Sequence, residues 1–155
     1  MEEIVNLLIN KNETISTMES CTGGALSNAI TNISGASNIF SFSAITYSNE
    51  YKIKMGVDQD IINKYSVYSI ETAKNMAYTI SNYTNSTYGV GVTGKLKRID
   101  ENNLYGEDDL VYLSIYNKKN KEYYCKEIRL IYDTREENKE QIIEEFINLM
   151  QNILK

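Results

Sequence analysis

Two short runs of this 155-residue chain hold side chains whose types and spacing could do chemistry together. Glu19-Ser20-Cys21-Thr22-Gly23-Gly24 combines a carboxylate, a hydroxyl and a thiol with two glycines; Thr46-Tyr47-Ser48-Asn49-Glu50-Tyr51-Lys52 combines a phenol with an amine. The first run lies between a strand-like stretch and a helix-like one. A turn there can present the Ser20 hydroxyl at the top of a sheet, with the N–H groups of Thr22, Gly23 and Gly24 near the positive end of the helix. That place suits a carboxylate, a phosphate or a developing oxyanion, and glycine lets backbone approach a ligand closely. The plain alternative is an ordinary capped helix, with Ser20 or Thr22 as N-cap.

The second run gains weight from an absence. The chain has no histidine, which excludes Ser-His-Asp and Cys-His arrangements, His-ligated zinc and imidazole proton shuttles. Any acid–base group is therefore Lys, Tyr, Asp, Glu or Cys. An amine becomes a base for a serine when burial or a neighbouring cation lowers its pKa toward neutrality. Tyr47 and Lys52 are close enough in sequence to point from one loop into one cleft. The alternative is that Lys52 is a solvated helix lysine beside Lys54. Cys21 is a rival nucleophile, but its side chain is expected to point away from that of Ser20 and to be a buried structural thiol.

Composition narrows the class. With 16 basic and 21 acidic residues the net charge is −5, so no basic footprint for nucleic acid or an anionic membrane exists. Cys21 and Cys125 are too few for a disulfide framework or a thiolate metal site. The acidic, polar N-terminus is unlike a signal peptide, and no apolar run approaches the ~20 residues of a membrane span. The expectation is a cytoplasmic, soluble protein with no metal site.

The elements that must position these residues follow from periodicity. Helical spacing runs over 3–11, a Thr- and Ile-rich strand over 14–18, and a helix over 25–31 opens behind the glycines. Alternation over 38–47 predicts a half-buried strand, and 48–55 and 58–64 read as short helices. Ser69 is a natural N-cap for a helix to about residue 83, with Ala73, Met76, Ala77 and Ile80 as its apolar stripe. A short strand over 88–92 is followed by a polar loop over 95–109. Strands over 110–116 and 122–131, joined by a turn at 117–121, predict a hairpin, and a helix over 134–154 ends the chain. Strands alternating with helices, closing on a hairpin and a helix, argue for one three-layer α/β/α domain with a mixed sheet over 1–155.

Gly89–Lys95, GVGVTGK, satisfies a dinucleotide-binding pattern and ends in Gly-Lys. Its glycines fall inside a strand, no apolar helix follows, and Leu96 stands where a P-loop needs a hydroxyl, so both nucleotide-motif readings are disfavoured. Thr93-Gly94 keeps its interest as the end of a strand, where α/β sheets bind ligands.

ESCTGG followed by TYSNEYK, then GV, SIETAKNMA and VTG, resembles the CinA C-terminal domain family, which includes nicotinamide-nucleotide amidohydrolases. The resemblance is close over 14–94 and fainter beyond. It implies a compact α/β domain that often self-associates as a homo-oligomer, needing no cofactor. It also implies hydrolysis of the carboxamide of nicotinamide mononucleotide, a small-molecule nucleotide substrate. Ser20 matches the nucleophile, Lys52 its activator, and Tyr47 the tyrosine that orients the lysine or shares its proton. Thr22, Gly23 and Gly24 match donors to the carboxamide oxygen or ligand, and Thr93 and Gly94 the strand-end pair at the pocket. Arg135, in Asp-Thr-Arg before the last helix, resembles the arginine of a Gly-Asp-Arg that could meet the phosphate.

The match breaks after Gly94. The family continues with a Pro- and Gly-rich stretch; this chain has Lys95-Leu-Lys-Arg-Ile-Asp-Glu-Asn-Asn-Leu-Tyr-Gly106, without proline. That loop should help line the pocket. Lys95, Lys97 and Arg98 either contact a phosphate or form a solvated basic patch. Two other readings stand beside the amidohydrolase: a catalytically silent module that binds a nucleotide or protein, and an amidase for another small amide.

Overall fold

The computed structural model describes residues 1–155. In chain order it contains α1 (Glu2–Lys11), β1 (Ile15–Glu19), α2 (Ala25–Thr31), β2 (Ser43–Ile45), α3 (Asn49–Lys54), α4 (Gln59–Tyr65) and α5 (Ile70–Thr84). β3 (Tyr88–Gly94), β4 (Leu110–Asn117), β5 (Glu122–Arg129) and α6 (Arg135–Leu154) follow. The five strands form one sheet in the order β2-β1-β3-β4-β5. β2, β1 and β3 run parallel, while β4 and β5 add as an antiparallel hairpin. The sheet is mixed, and helices cover both faces.

One face carries α1, α2 and α6. Ile4, Val5 and Leu8 of α1, Leu26 and Ile30 of α2, and Ile142, Phe146 and Met150 of α6 meet Val90, Val92, Leu113 and Ile115 in the larger core. The other face carries α4 and α5, where Met76 and Ile80 pack with Met18, Ala44, Val57 and Ile62. This alternation along β1 and β3 is the two-residue period of a strand buried on both faces.

Close packing explains the glycine pattern of β3. A Cβ built on Gly91 would lie 2.2 Å from the Ala73 carbonyl oxygen of α5, and one on Gly89 2.0 Å from that of Ala77. Bare backbone is what lets α5 lie against the central strand, so the nucleotide-motif look of GVGVTGK is a packing device.

The expected strand over 38–47 is much shorter. A 3-10 turn spans Ala36–Asn38, and only Ser43–Ile45 pairs with β1. Ile39 buries its side chain in the larger core and its carbonyl accepts the Ile15 amide, so the chain enters the edge of the sheet late. Ser69 caps α5 by accepting the Thr72 amide, as its place predicts. No helix is long and apolar enough to cross a membrane.

Candidate active site

A cavity of about 630 Å³ opens beyond the carboxyl ends of β1 and β3, within the size range of small-molecule sites. Ser20 and Cys21 line it from the end of β1. Tyr47, Ser48, Asn49 and Lys52 come from the entry and body of α3, Gly94 from the end of β3, and Arg135 from the start of α6. Val67 and Tyr68, ahead of α5, and the 95–103 part of the following loop complete its wall.

Ser20 follows directly on β1. Its amide donates to the Val92 carbonyl, which fixes the residue to the central strand. The turn behind it is held by Glu19, a fully buried carboxylate on the opposite face. Glu19 accepts from the Thr22 hydroxyl at 2.7 Å, and from the amides of Gly24, Leu26 and Ser27 at 3.2, 3.1 and 2.8 Å. The Ser27 hydroxyl bonds it as well. Neither Ser20 nor Thr22 caps α2 in the usual way; Gly24 occupies the cap with no side-chain bond, and Glu19 satisfies the first-turn amides from below. Gly23 and Gly24 have φ of +59° and +94°, a tight left-handed path that side chains resist.

The expected donors divide accordingly. The Gly23 amide donates to the Ser20 carbonyl and the Gly24 amide to Glu19, and neither residue lines the cavity. The amides of Cys21 and Thr22 bond no other residue, and of the two only Cys21 lines the cavity, Thr22 being fully buried. Glu19 is visible in the ESCTGG run, but nothing in its residue type marks it as an internal anchor.

Lys52 rises from α3, whose N-cap Ser48 accepts the Tyr51 amide. Only 2% of Lys52 is exposed. Its Nζ lies 3.0 Å from Ser20 Oγ and donates to the Thr46 carbonyl at 2.7 Å. Burial pulls its pKa from the usual 10.5 down to about 8, against weaker upward pulls from Cys21 and Asp100. The solvated-lysine alternative is therefore excluded. Cys21 sits in the larger core as well as at the cavity wall, and burial pushes its thiol up to about 12. It stays protonated near neutrality.

Tyr47 makes no hydrogen bond to Lys52. Its exposed side chain accepts from Arg135, whose Nη2 stands 3.1 Å away, while Nη1 of Arg135 donates to the Leu96 carbonyl. Thr93 is buried and donates to the Val67 carbonyl at 2.9 Å, so it holds the wall at Val67 instead of lining the cavity.

The loop is pinned from several sides. Lys95 is buried and reaches the Gly106 carbonyl at 3.0 Å and Asp108 at 3.1 Å. Asn49 donates to Asn103 at 2.8 Å, and the Tyr68 hydroxyl to Asp100. Burial raises the Asp100 pKa, but bonds from Tyr68, Asn103 and the Asn102 amide outweigh it and leave the group below its usual value.

A strand-end serine hydrogen-bonded to a desolvated lysine, in the ordered setting of ESCTGG and TYSNEYK, decides the relationship together with direct comparison. The profile of the CinA C-terminal domain matches residues 1–154. The chain belongs to the CinA C-terminal domain family. A relative from Clostridium kluyveri that carries a competence-damage inducible protein name is 40% identical over 131 residues, 83% of this chain and 31% of its own length. A CinA-like protein of Desulforapulum autotrophicum is 42% identical over 94 residues, 60% of this chain and 22% of its own. The chain thus spans less than a third of these relatives. Among solved structures, the competence/damage inducible protein CihA of Agrobacterium tumefaciens superposes with a TM-score of 0.81 at 27% identity, over 96% of this chain and 94% of that one. A CinA superfamily protein of Klebsiella pneumoniae 700603 gives 0.90 at 18% identity, over 99% and 94%, a likeness of fold.

Proposed function

We propose that this CinA-family domain hydrolyses the carboxamide of nicotinamide mononucleotide, giving nicotinic acid mononucleotide and ammonia. The observation that carries the reading is the 3.0 Å approach of a buried, pKa-depressed Lys52 to Ser20 Oγ at the wall of a nucleotide-sized cavity. Neutral Lys52 takes the Ser20 proton as Oγ attacks the carboxamide carbon. The unengaged amide of Cys21, at the cavity wall, is the donor for the oxyanion, and Thr22, Gly23 and Gly24 act by shaping the turn. The Lys52 ammonium returns its proton to the leaving nitrogen, and ammonia departs from an ester on Ser20. Lys52, neutral again, takes a proton from water; the hydroxide attacks the ester, and the proton passes back to Ser20 Oγ as the acid leaves.

The Thr46 carbonyl does the orienting that the family resemblance gave to Tyr47. Tyr47 and Arg135 instead form the rim, where Arg135 adds positive charge for a phosphate. Gly94 lines the cavity and is a glycine because a Cβ there would meet Val111 of β4 at 2.7 Å, while Thr93 fixes Val67 in the wall.

The test is ammonia release from nicotinamide mononucleotide by the purified protein, with Ser20→Ala and Lys52→Ala beside it. Release by the parent and loss of at least a thousandfold in both variants supports the reading. A folded parent that releases no ammonia rejects it, and release that persists in Ser20→Ala rejects the nucleophile.

A further inference from the structure

Four cationic side chains line the cavity: Lys52, Lys95, Arg98 and Arg135. Three of them are already occupied. Lys52 serves Ser20 and the Thr46 carbonyl, Lys95 ties down the far end of its own loop, and Arg135 is fixed by two of its five donors, one to Leu96 and one to Tyr47. Arg98 alone has neither a hydrogen-bond nor an ion-pair partner, although the protein is acidic overall. The nearest carboxylates in sequence do not claim it: Asp100 is turned to Tyr68 and Asn103, and Glu101 pairs with nothing.

The backbone ahead of Arg98 is a second, independent observation. Leu96 and Lys97 both adopt left-handed conformations, with φ of +54° and +58°. Two consecutive side-chain-bearing residues there carry strain, and such strain persists where surrounding contacts impose it, often at ligand clamps. The contacts are present. Arg135 donates to the Leu96 carbonyl, the Lys97 amide donates to the Asp108 carbonyl at 2.6 Å, and Leu96 is buried in the larger core. The turn swings the chain away from β3 and delivers Arg98 to the cavity.

We infer that Arg98 recognises the phosphate monoester of the substrate, with Arg135 acting largely as the brace of the turn that presents it. The inference rests on the mononucleotide reading given above and adds the residue that would make a nucleotide preferred over the corresponding nucleoside. A guanidinium with all five donors free matches the geometry of a phosphate, and charge-assisted bonds of this kind are the strong ones.

Two measurements test it. The first is the ratio of kcat/KM for nicotinamide mononucleotide over nicotinamide riboside, in the parent and in Arg98→Ala. A ten- to hundredfold fall in that ratio, carried mainly by KM for the nucleotide, is expected; a ratio within twofold of the parent overturns the inference. The second is calorimetric binding of ribose 5-phosphate, with ribose as the blank, which does not depend on hydrolysis. Binding by the parent that Arg98→Ala weakens tenfold supports the phosphate site even if no ammonia is released, in which case only the hydrolase reading fails. Equal binding by both proteins, or none by the parent, overturns the inference whatever the hydrolysis assay gives.

Discussion

Lys52 is the residue at which function and stability pull apart. As a base it must be neutral, so kcat/KM is expected to rise with pH up to a plateau above about 8 and to fall tenfold per unit below it. With no histidine in the chain, a second inflection near pH 6.5 that persists with nicotinamide riboside, which has no titrating phosphate, would reject Lys52 as the sole base. The same burial destabilises the fold. Between about pH 8 and 10.5 the unfolded chain holds a proton that the folded one lacks, so stability rises with pH across that window. Below it the full cost, about 3 kcal/mol at ~1.4 kcal/mol per unit, is present. Lys52→Met forgoes the bond to the Thr46 carbonyl, about 1 kcal/mol. The variant is therefore expected to be inactive yet more stable by about 1–2 kcal/mol at pH 7 in urea unfolding, with the gain gone above pH 10.5. Lys52→Arg, permanently charged, is expected to be both inactive and less stable.

Among elements, the β1–α2 junction and the α5–β3 contact bear the most. Replacing Glu19 by Ala strands three amides and the Thr22 hydroxyl in a buried place, a loss of about 4 kcal/mol or more in urea unfolding, while the Ser27 hydroxyl keeps Ser43. Glu19→Gln, with one oxygen turned into a donor, is expected to cost about 2 kcal/mol and to lower kcat through the Ser20 turn. At the other contact, Gly91→Ala drives a methyl into the Ala73 carbonyl and is expected to cost about 3 kcal/mol or to abolish folding. Gly23→Ala meets only Lys139 Nζ at 3.7 Å and pays mainly for its φ, about 1 kcal/mol. These elements also show what could be read beforehand. Ser69 and the stripe from Ala73 to Ile80 announce α5 because a cap and a 3.6-residue period are local signals. The serine and lysine are legible by type and order once histidine is missing. Glu19 as anchor, Thr46 as the lysine's acceptor and the shortened β2 depend on long-range contacts that no local pattern encodes.

At the scale of the molecule, the site exists because β1 lies between β2 and β3. The chain leaves β1 through α2 on one face and returns from β2 to β3 through α3–α5 on the other, so a crevice opens at the carboxyl ends where the two crossovers part. Distant stretches then meet there, and the 95–109 loop is held across the crevice by three of them and by a tie of its own. Lys95 ties its two ends together, Asn49 of α3 holds Asn103, Tyr68 at the approach to α5 holds Asp100, and Arg135 of α6 holds Leu96. Of these, Lys95 spans the longest part of the loop itself and is 7% exposed, so its loss cannot be made good by water alone. Lys95→Met is expected to leave hydrogen exchange in β1 and β3 at the rate set by global unfolding, while amides over 98–106 exchange at least tenfold faster. If the loop forms the wall that the cavity needs, KM for the substrate rises in the same variant while the pH midpoint near 8 stays with Lys52. Loop amides that exchange as slowly as in the parent would show that Asn49, Tyr68 and Arg135 suffice to hold the wall, and would remove Lys95 from the account of how the cavity is closed.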